Sequence, residues 1–221
     1  MIDQPVLTFL EKLAKNNNRD WFASHKEEFS EQEKKVKAFF RAVQSELSKM
    51  DQIEGHHLMR IYRDIRFSKD KTPYKARFSG SFSRATAARR GSYYLSIQPG
   101  NSFIGGGFYG PNTDDLKRIR QEFEMDSSEM RTILSDPVFK SFYGELQGEE
   151  LKTAPRGFDA THPSIDLIRK KQFYFVHPFS DEEVCAKDFN QKVGQGLQLL
   201  LPYFDYMSSV LTTNSNGESI L

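Results

Sequence analysis

The stretch Met59-Arg60-Ile61-Tyr62-Arg63-Asp64-Ile65-Arg66-Phe67 alternates apolar and polar side chains and runs on into Ser68-Lys69-Asp70-Lys71-Thr72-Pro73-Tyr74-Lys75. A period of two predicts a half-buried strand, with Met59, Ile61, Ile65 and Phe67 toward a core. Arg60, Tyr62, Asp64 and Arg66 then share the other face, with same-face neighbours about 7 Å apart. Arg63 breaks the pattern, because a guanidinium among apolar neighbours needs a partner or a route to water.

The strand period continues beyond this stretch. Phe78, Gly80 and Phe82 alternate after the Pro73 connection, and Tyr93, Leu95 and Ile97 do so again. Pro99-Gly100-Asn101 supplies turn residues before a fourth segment, Ser102 to Tyr109. Connections this short predict antiparallel neighbours. A fifth strand is read at Gln172 to Pro178, where Phe173, Phe175 and His177 alternate with Tyr174 and Val176.

Helical spacing flanks these strands. Pro5 suits a first turn, Val6, Phe9, Leu10 and Leu13 follow on one stripe, and Asn16-Asn17-Asn18 ends the helix. A long helix follows to about Met50, with Phe29, Val36, Phe40, Val43 and Leu47 as its buried stripe. Asn112 with Asp115, Asp126 with Glu129, and Asp136-Pro137 have the form of helix starts. Ser180 followed by Asp181, Glu182 and Glu183 caps a last long helix through Val184, Phe189, Val193, Leu197 and Leu200, which Pro202 should kink or end. The expectation is one α+β domain over residues 1–211, a mainly antiparallel sheet of about five strands covered by N-terminal and C-terminal helices. Residues 212–221 are expected to form a flexible tail.

Composition narrows the function classes. The 221 residues carry a net charge of +1, so no global field draws the chain to nucleic acid or a membrane. The 19 Phe residues carry much of the burial energy. A single cysteine, Cys185, excludes an internal disulfide and a multi-cysteine metal site. The segment Met1-Ile2-Asp3-Gln4-Pro5 lacks a secretory signal's basic start, and the longest aliphatic run is Leu199-Leu200-Leu201. A cytoplasmic protein without a membrane span is the expectation, and no metal is expected, since His25, His56, His57 and His177 lack ligand spacing.

Charge is uneven locally. Residues 58–90 hold ten Lys/Arg against two Asp/Glu, and residues 112–150 hold ten acidic against five basic side chains. Arg forks suit phosphate and carboxylate, so Arg60, Arg63, Arg66, Lys69, Lys71 and Lys75 are the candidate ligand-binding residues, against the alternative of an ion-paired solvent face. Gly105-Gly106-Gly107 in Phe103 to Tyr109 requires something to approach the backbone closely, either a packed aromatic or a ligand at Gly106. It is neither a dinucleotide-binding nor a P-loop pattern. Pro155-Arg156-Gly157-Phe158-Asp159 and His162 form a rigid turn-rich segment. Arg156 joins the ligand candidates, and Asp64 and His162 are the candidates for proton transfer, against capping and local pairing as the structural account. Trp21 reads as a core anchor and Cys185 as a small buried residue.

Several of these segments together resemble a family, domain of unknown function 2461, of bacterial proteins with some fungal relatives. The residues are Asn16-Asn17-Asn18-Arg19-Asp20-Trp21-Phe22 with His25-Lys26, Arg60 through Lys75, Gly105-Gly106-Gly107, and Pro155 through Asp159. The resemblance spans about residues 5–210. It implies a single intact domain of bacterial, cytosolic type and assigns no catalytic role or cofactor. The residues themselves favour binding, with or without turnover, of a phosphorylated or other anionic small molecule. A protein-interaction module and a nucleic-acid-binding module are the alternatives, and the oligomeric state is left open.

Overall fold

A computed structural model describes residues 1–214 and 216–221. The chain begins with helices α1 (Gln4–Lys15), α2 (Arg19–Ser24) and α3 (Lys26–Leu47). Strands β1 (Ile53–Leu58), β2 (Phe78–Arg84), β3 (Ser92–Ile97) and β4 (Ser102–Phe108) follow. Next come α4 (Thr113–Met125), α5 (Ser128–Ser135), α6 (Pro137–Tyr143) and the short α7 (Ile165–Ile168), then β5 (Phe173–Phe179). Helices α8 (Asp181–Val184), α9 (Phe189–Gln198) and α10 (Leu201–Thr212) close the chain. The strands make one antiparallel sheet in the order β1-β2-β3-β4-β5, the expected α+β architecture. No helix among the described residues is long and apolar enough to cross a membrane.

The first strand is not where alternation put it. The edge strand β1 precedes the Arg60–Lys75 stretch, and the main chain leaves the sheet after Met59 donates to the Ser79 carbonyl at 2.9 Å. Local side chains then take the backbone donors that a ladder would need. Asp64 accepts from Arg66 N at 3.2 Å and Asp70 from Thr72 N at 2.9 Å, while Pro73 has no N–H to give. Phe67, assigned to the core by period, is 97% exposed.

Several helix boundaries also move. Asn112 caps α4 by accepting from Asp115 N, and Asp136 caps α6 by accepting from Phe139 N, both at 2.8 Å. Asp126 does not start α5: it is the C-cap of α4, its carboxylate accepts from Ser128 N, and Ser127 takes the N-cap position of α5. Ser180 and Glu183 form a capping box, but on the single turn of α8. The expected last helix is three separate helices, and Pro202 lies in the first turn of α10, where its missing donor costs nothing.

Internal contacts divide the chain into two compact units. The first holds Met1–Phe82, Tyr94–Ile104 and Pro178–Gln195. Its core is aromatic: Phe40 stacks on Phe82 with centroids 5.4 Å apart, Phe39 on Phe189 at 5.3 Å, and Phe22 on Tyr74 at 4.1 Å. Val6, Phe9, Leu10 and Leu13 of α1 are fully buried, as the helical stripe predicts. Trp21 stacks on His25 at 3.9 Å.

The second unit holds Ser83–Tyr93, Gly105–His177 and Gly196–Leu221. Buried Tyr203 packs against Phe175 and donates its hydroxyl to the Phe173 carbonyl at 2.8 Å. Arg84 is buried here without strain on solvation: it donates to Asp205 at 2.6 Å and to Ser208 Oγ at 3.2 Å, and lies over the Phe204 ring. The expected flexible tail includes Ser215, which lies outside the described residues. Around it, Thr213 bridges Ser219 and Ile220 N donates to the Thr212 carbonyl at 2.9 Å.

Candidate functional site: a basic cleft in the first unit

Residues 60–75 form a finger between β1 and β2, pinned at its base. Tyr62 bridges Tyr74 in antiparallel register, Arg63 N donates to the Pro73 carbonyl at 2.9 Å, and Lys75 N to the Ile61 carbonyl at 2.7 Å. Asn17, just past α1, clamps the returning arm. Its amide donates to the Tyr74 carbonyl at 3.0 Å and its oxygen accepts from Tyr74 N at 3.1 Å, as a neighbouring strand would. With Tyr74 also stacked on Phe22, the segment that carries Lys75 is fixed at both backbone and side chain.

The finger's outer charges are largely answered within the finger. Arg66 grips Asp64 with two bonds, Nε to Oδ1 at 3.0 Å and Nη2 to Oδ2 at 2.6 Å. That contact holds the Asp64 carboxyl below its ordinary range. Lys71 Nζ donates to the Ile65 carbonyl at 3.0 Å. Arg63, the residue that broke the alternation, donates to both Asp70 and Thr72. The Thr72 amide, the Arg63 guanidinium and the Thr72 hydroxyl together hold the Asp70 carboxyl down to about 2.

Lys75 is different. It lines an open cleft of about 520 Å³ with Asn17, Arg63, Asp70, Thr72, Arg77 and Gln98. Neither the Lys75 ammonium nor Arg77 has a carboxylate or hydrogen-bond partner among the described residues. Burial lowers the Lys75 pKa, and the positive charges of Arg77 and Arg60 lower it further. A half-buried lysine facing two guanidiniums is a positive focus that protein groups leave unneutralised.

The sequence candidates therefore separate. Arg63 and Lys75 meet at the cleft, with Arg60 acting on Lys75 through its charge. Asp64, Arg66, Lys69 and Lys71 do not line it. The residues missed from sequence are Arg77, Asn17 and Gln98. Arg77 had a signal, since it stands two positions from Lys75 and shares its direction in extended chain. In sequence Asn17 reads as a helix terminus and as part of the family resemblance but not as a ligand contact, and nothing near Gln98 marks it.

The remaining candidates belong to the second unit. Gly106 is buried: a Cβ there would stand 2.8 Å from both Leu200 Cδ1 and Phe204 Cζ. Packing thus accounts for it and leaves no space for a ligand. His162 is engaged in its own turn, its Nδ1 accepting from Ser164 N at 3.1 Å. Asp159 accepts from Thr161 N and hydroxyl, both at 2.8 Å. Arg156 sits on an exposed turn with no ion pair among the described residues. Cys185 is half-buried, its thiol pushed up by burial and by the charges of Asp181 and Asp3, the opposite of an activated nucleophile.

Fold and cleft define an α+β protein with an open, cation-lined depression built on a looped-out finger. The chain belongs to the family described as conserved hypothetical protein DUF2461, whose profile matches residues 5–206. Neither the curated proteins nor the solved structures yield a match to the chain.

Proposed function

We propose that this protein is a cytoplasmic binder of a phosphorylated or similarly anionic small molecule, held in the first-unit cleft. One observation carries the reading: Lys75 and Arg77 face the cleft without an anionic partner among the described residues, although burial and the charges of Arg77 and Arg60 act against the Lys75 ammonium. A bound oxyanion would remove that penalty. In this reading Lys75 and Arg77 neutralise the ligand, Arg63 adds a guanidinium pre-set by Asp70 and Thr72, and Gln98 offers an amide. Binding is favoured over turnover because Asp70, the carboxylate in the cleft lining, is held down to about 2 by hydrogen bonds and is poorly suited to proton transfer near neutrality.

A thermal-shift panel of inorganic phosphate, pyrophosphate, sugar phosphates and nucleotides at low salt tests the reading. At least one should stabilise the protein, with affinity reduced on the order of tenfold or more in Lys75→Ala and in Arg77→Ala. No stabilisation across the panel, or the same shift in the Lys75→Ala/Arg77→Ala double variant, would sink it.

A second reading, an interaction surface, is favoured by Phe67. This fully exposed aromatic stands at the finger tip with the Arg66 guanidinium 6.0 Å from its ring centroid. Single-stranded and duplex oligonucleotides titrated at two salt concentrations separate its forms: salt-sensitive binding lost in Phe67→Ser marks a nucleic-acid surface. Salt-sensitive self-association in light scattering marks a homotypic one.

A further inference from the structure

A second cavity, wholly inside the second unit, has features that packing does not use. One wall is a single face of α4, where Thr113, Leu116, Lys117, Arg120, Gln121 and Glu124 recur at helical spacing. The other wall is the turn Pro155-Arg156-Gly157-Phe158. The turn is closed by Phe158 N donating to the Pro155 carbonyl at 3.1 Å, and Gly157 takes φ +89° at its third position, which a side chain would resist. Arg156 is therefore presented from the turn's second position by a backbone specified residue by residue.

The charges converge without cancelling. Arg120 is half-buried and oriented by donating Nε to the Ile168 carbonyl at 2.9 Å and Nη2 to the Lys170 carbonyl at 3.2 Å. Neutral carbonyls orient a guanidinium but leave its charge unanswered, and burial alone lowers its pKa, with no carboxylate opposing. Lys117 and Arg156 likewise have no hydrogen-bond or ion-pair partner among the described residues. Glu124 is the only acid among the described residues of the lining, and Leu116, Pro155 and Phe158 give the cavity an apolar floor. The volume, about 490 Å³, is within the range of small-molecule sites.

We infer that this cavity binds a small organic anion, its oxyanion head held by Arg156, Lys117 and Arg120 and its apolar body lying on Leu116, Pro155 and Phe158. The inference does not depend on the first-unit cleft. Phenyl phosphate, inorganic phosphate and benzyl alcohol are the probes, followed by amide chemical shifts of the full chain. Phenyl phosphate should move the amides of Gly157, Phe158, Lys117 and Gln121, more strongly than inorganic phosphate, which lacks the body. In the Lys117→Ala/Arg156→Ala variant, both positions exposed and free of structural bonds, its affinity should fall on the order of tenfold or more. In Lys75→Ala/Arg77→Ala it should be unchanged. The inference is overturned if those amides stay still at millimolar phenyl phosphate, or if the Lys117/Arg156 variant binds as well. Equal binding of benzyl alcohol, or loss of the shifts in the Lys75/Arg77 variant, would overturn it as well.

Discussion

Two stretches of this chain look equally unusual in sequence, the Arg60–Lys75 finger and the glycine run of β4, and they come to opposite ends. The glycines are fully consumed by packing. Gly105 and Gly107 lie under main chain of β5, and Gly106 lies under Leu200 and Phe204, so every missing Cβ is replaced by a neighbour. In the finger, Arg63, Arg66 and Lys71 find partners within the loop, whereas Lys75 at its end and Arg77 just beyond it find none among the described residues. An odd residue points to function only after its neighbours have been counted.

The glycine side of that contrast gives the largest expected effect. At Gly107, φ is +142° and a Cβ would stand 2.3 Å from the Phe173 carbonyl oxygen and 2.6 Å from Tyr174 Cα. Backbone cannot move aside as a side-chain tip can. Gly107→Ala should lose about 3 kcal/mol or more in urea unfolding, combining backbone strain and overpacking. A loss under about 0.5 kcal/mol, the range of surface changes, would mean that the glycines are not there for packing.

On the finger side, Asn17→Ala should come next. It removes both side-chain bonds to Tyr74 and leaves a donor and an acceptor of a buried residue unmet, a cost of about 1–3 kcal/mol. Amide exchange should accelerate at Tyr74 and Lys75, and phosphate affinity should fall with it, because the clamp positions Lys75. Unchanged exchange at Tyr74 would show that the finger holds itself in place.

The difference between the two stretches also explains what was legible in the sequence. Strands β2 to β5 follow from alternation because each has one face on a core, and burial at that face makes the pattern. The same rule misplaced the first strand. Residues 59–67 alternate, yet Asp64, Asp70 and Pro73 divert the backbone, and short-range capping of this kind wins over period when no partner strand is available. True β1, Ile53-Glu54-Gly55-His56-His57-Leu58, has a glycine and two histidines on a sheet edge and so shows no period. At the site, charge density pointed to the finger but did not rank its cations. Which ones lack partners depends on Asn17, Gln98 and the fold of the loop, none of it local in sequence.

Removing a cation from the cleft should be nearly harmless, or mildly favourable, to the empty protein. Lys75 sits against Arg77 and Arg60 with no ion-paired acid among the described residues, so Lys75→Ala relieves like-charge repulsion. For a chain of this size the melting temperature should hold or rise by ~1 °C at low salt. A marked fall would assign Lys75 a structural partner and remove the main support for an anion site. The expected pairing of retained stability with lost phosphate affinity is what separates a binding cation from a scaffolding one.

The smallest effect concerns Asp70, which distinguishes the paired half of the finger. Its folded-state pKa is about 2 against an ordinary 3.8, lowered by the Thr72 amide, Arg63 and the Thr72 hydroxyl. A depressed carboxyl contributes stability that is present in full above the unfolded value and is lost as pH falls through the folded one. Asp70→Asn should therefore flatten the acid limb of the stability curve between about pH 4 and pH 2, with little change at pH 7 beyond the loss of a solvent-screened pair. Carbon-detected titration of the Asp70 carboxyl reads the same quantity directly. A midpoint near 3.8 would mean that Arg63 is not committed to Asp70 in solution. Arg63 would then join Lys75 and Arg77 as an unpaired cation, and the boundary between the answered and unanswered charges of the finger would move by one residue.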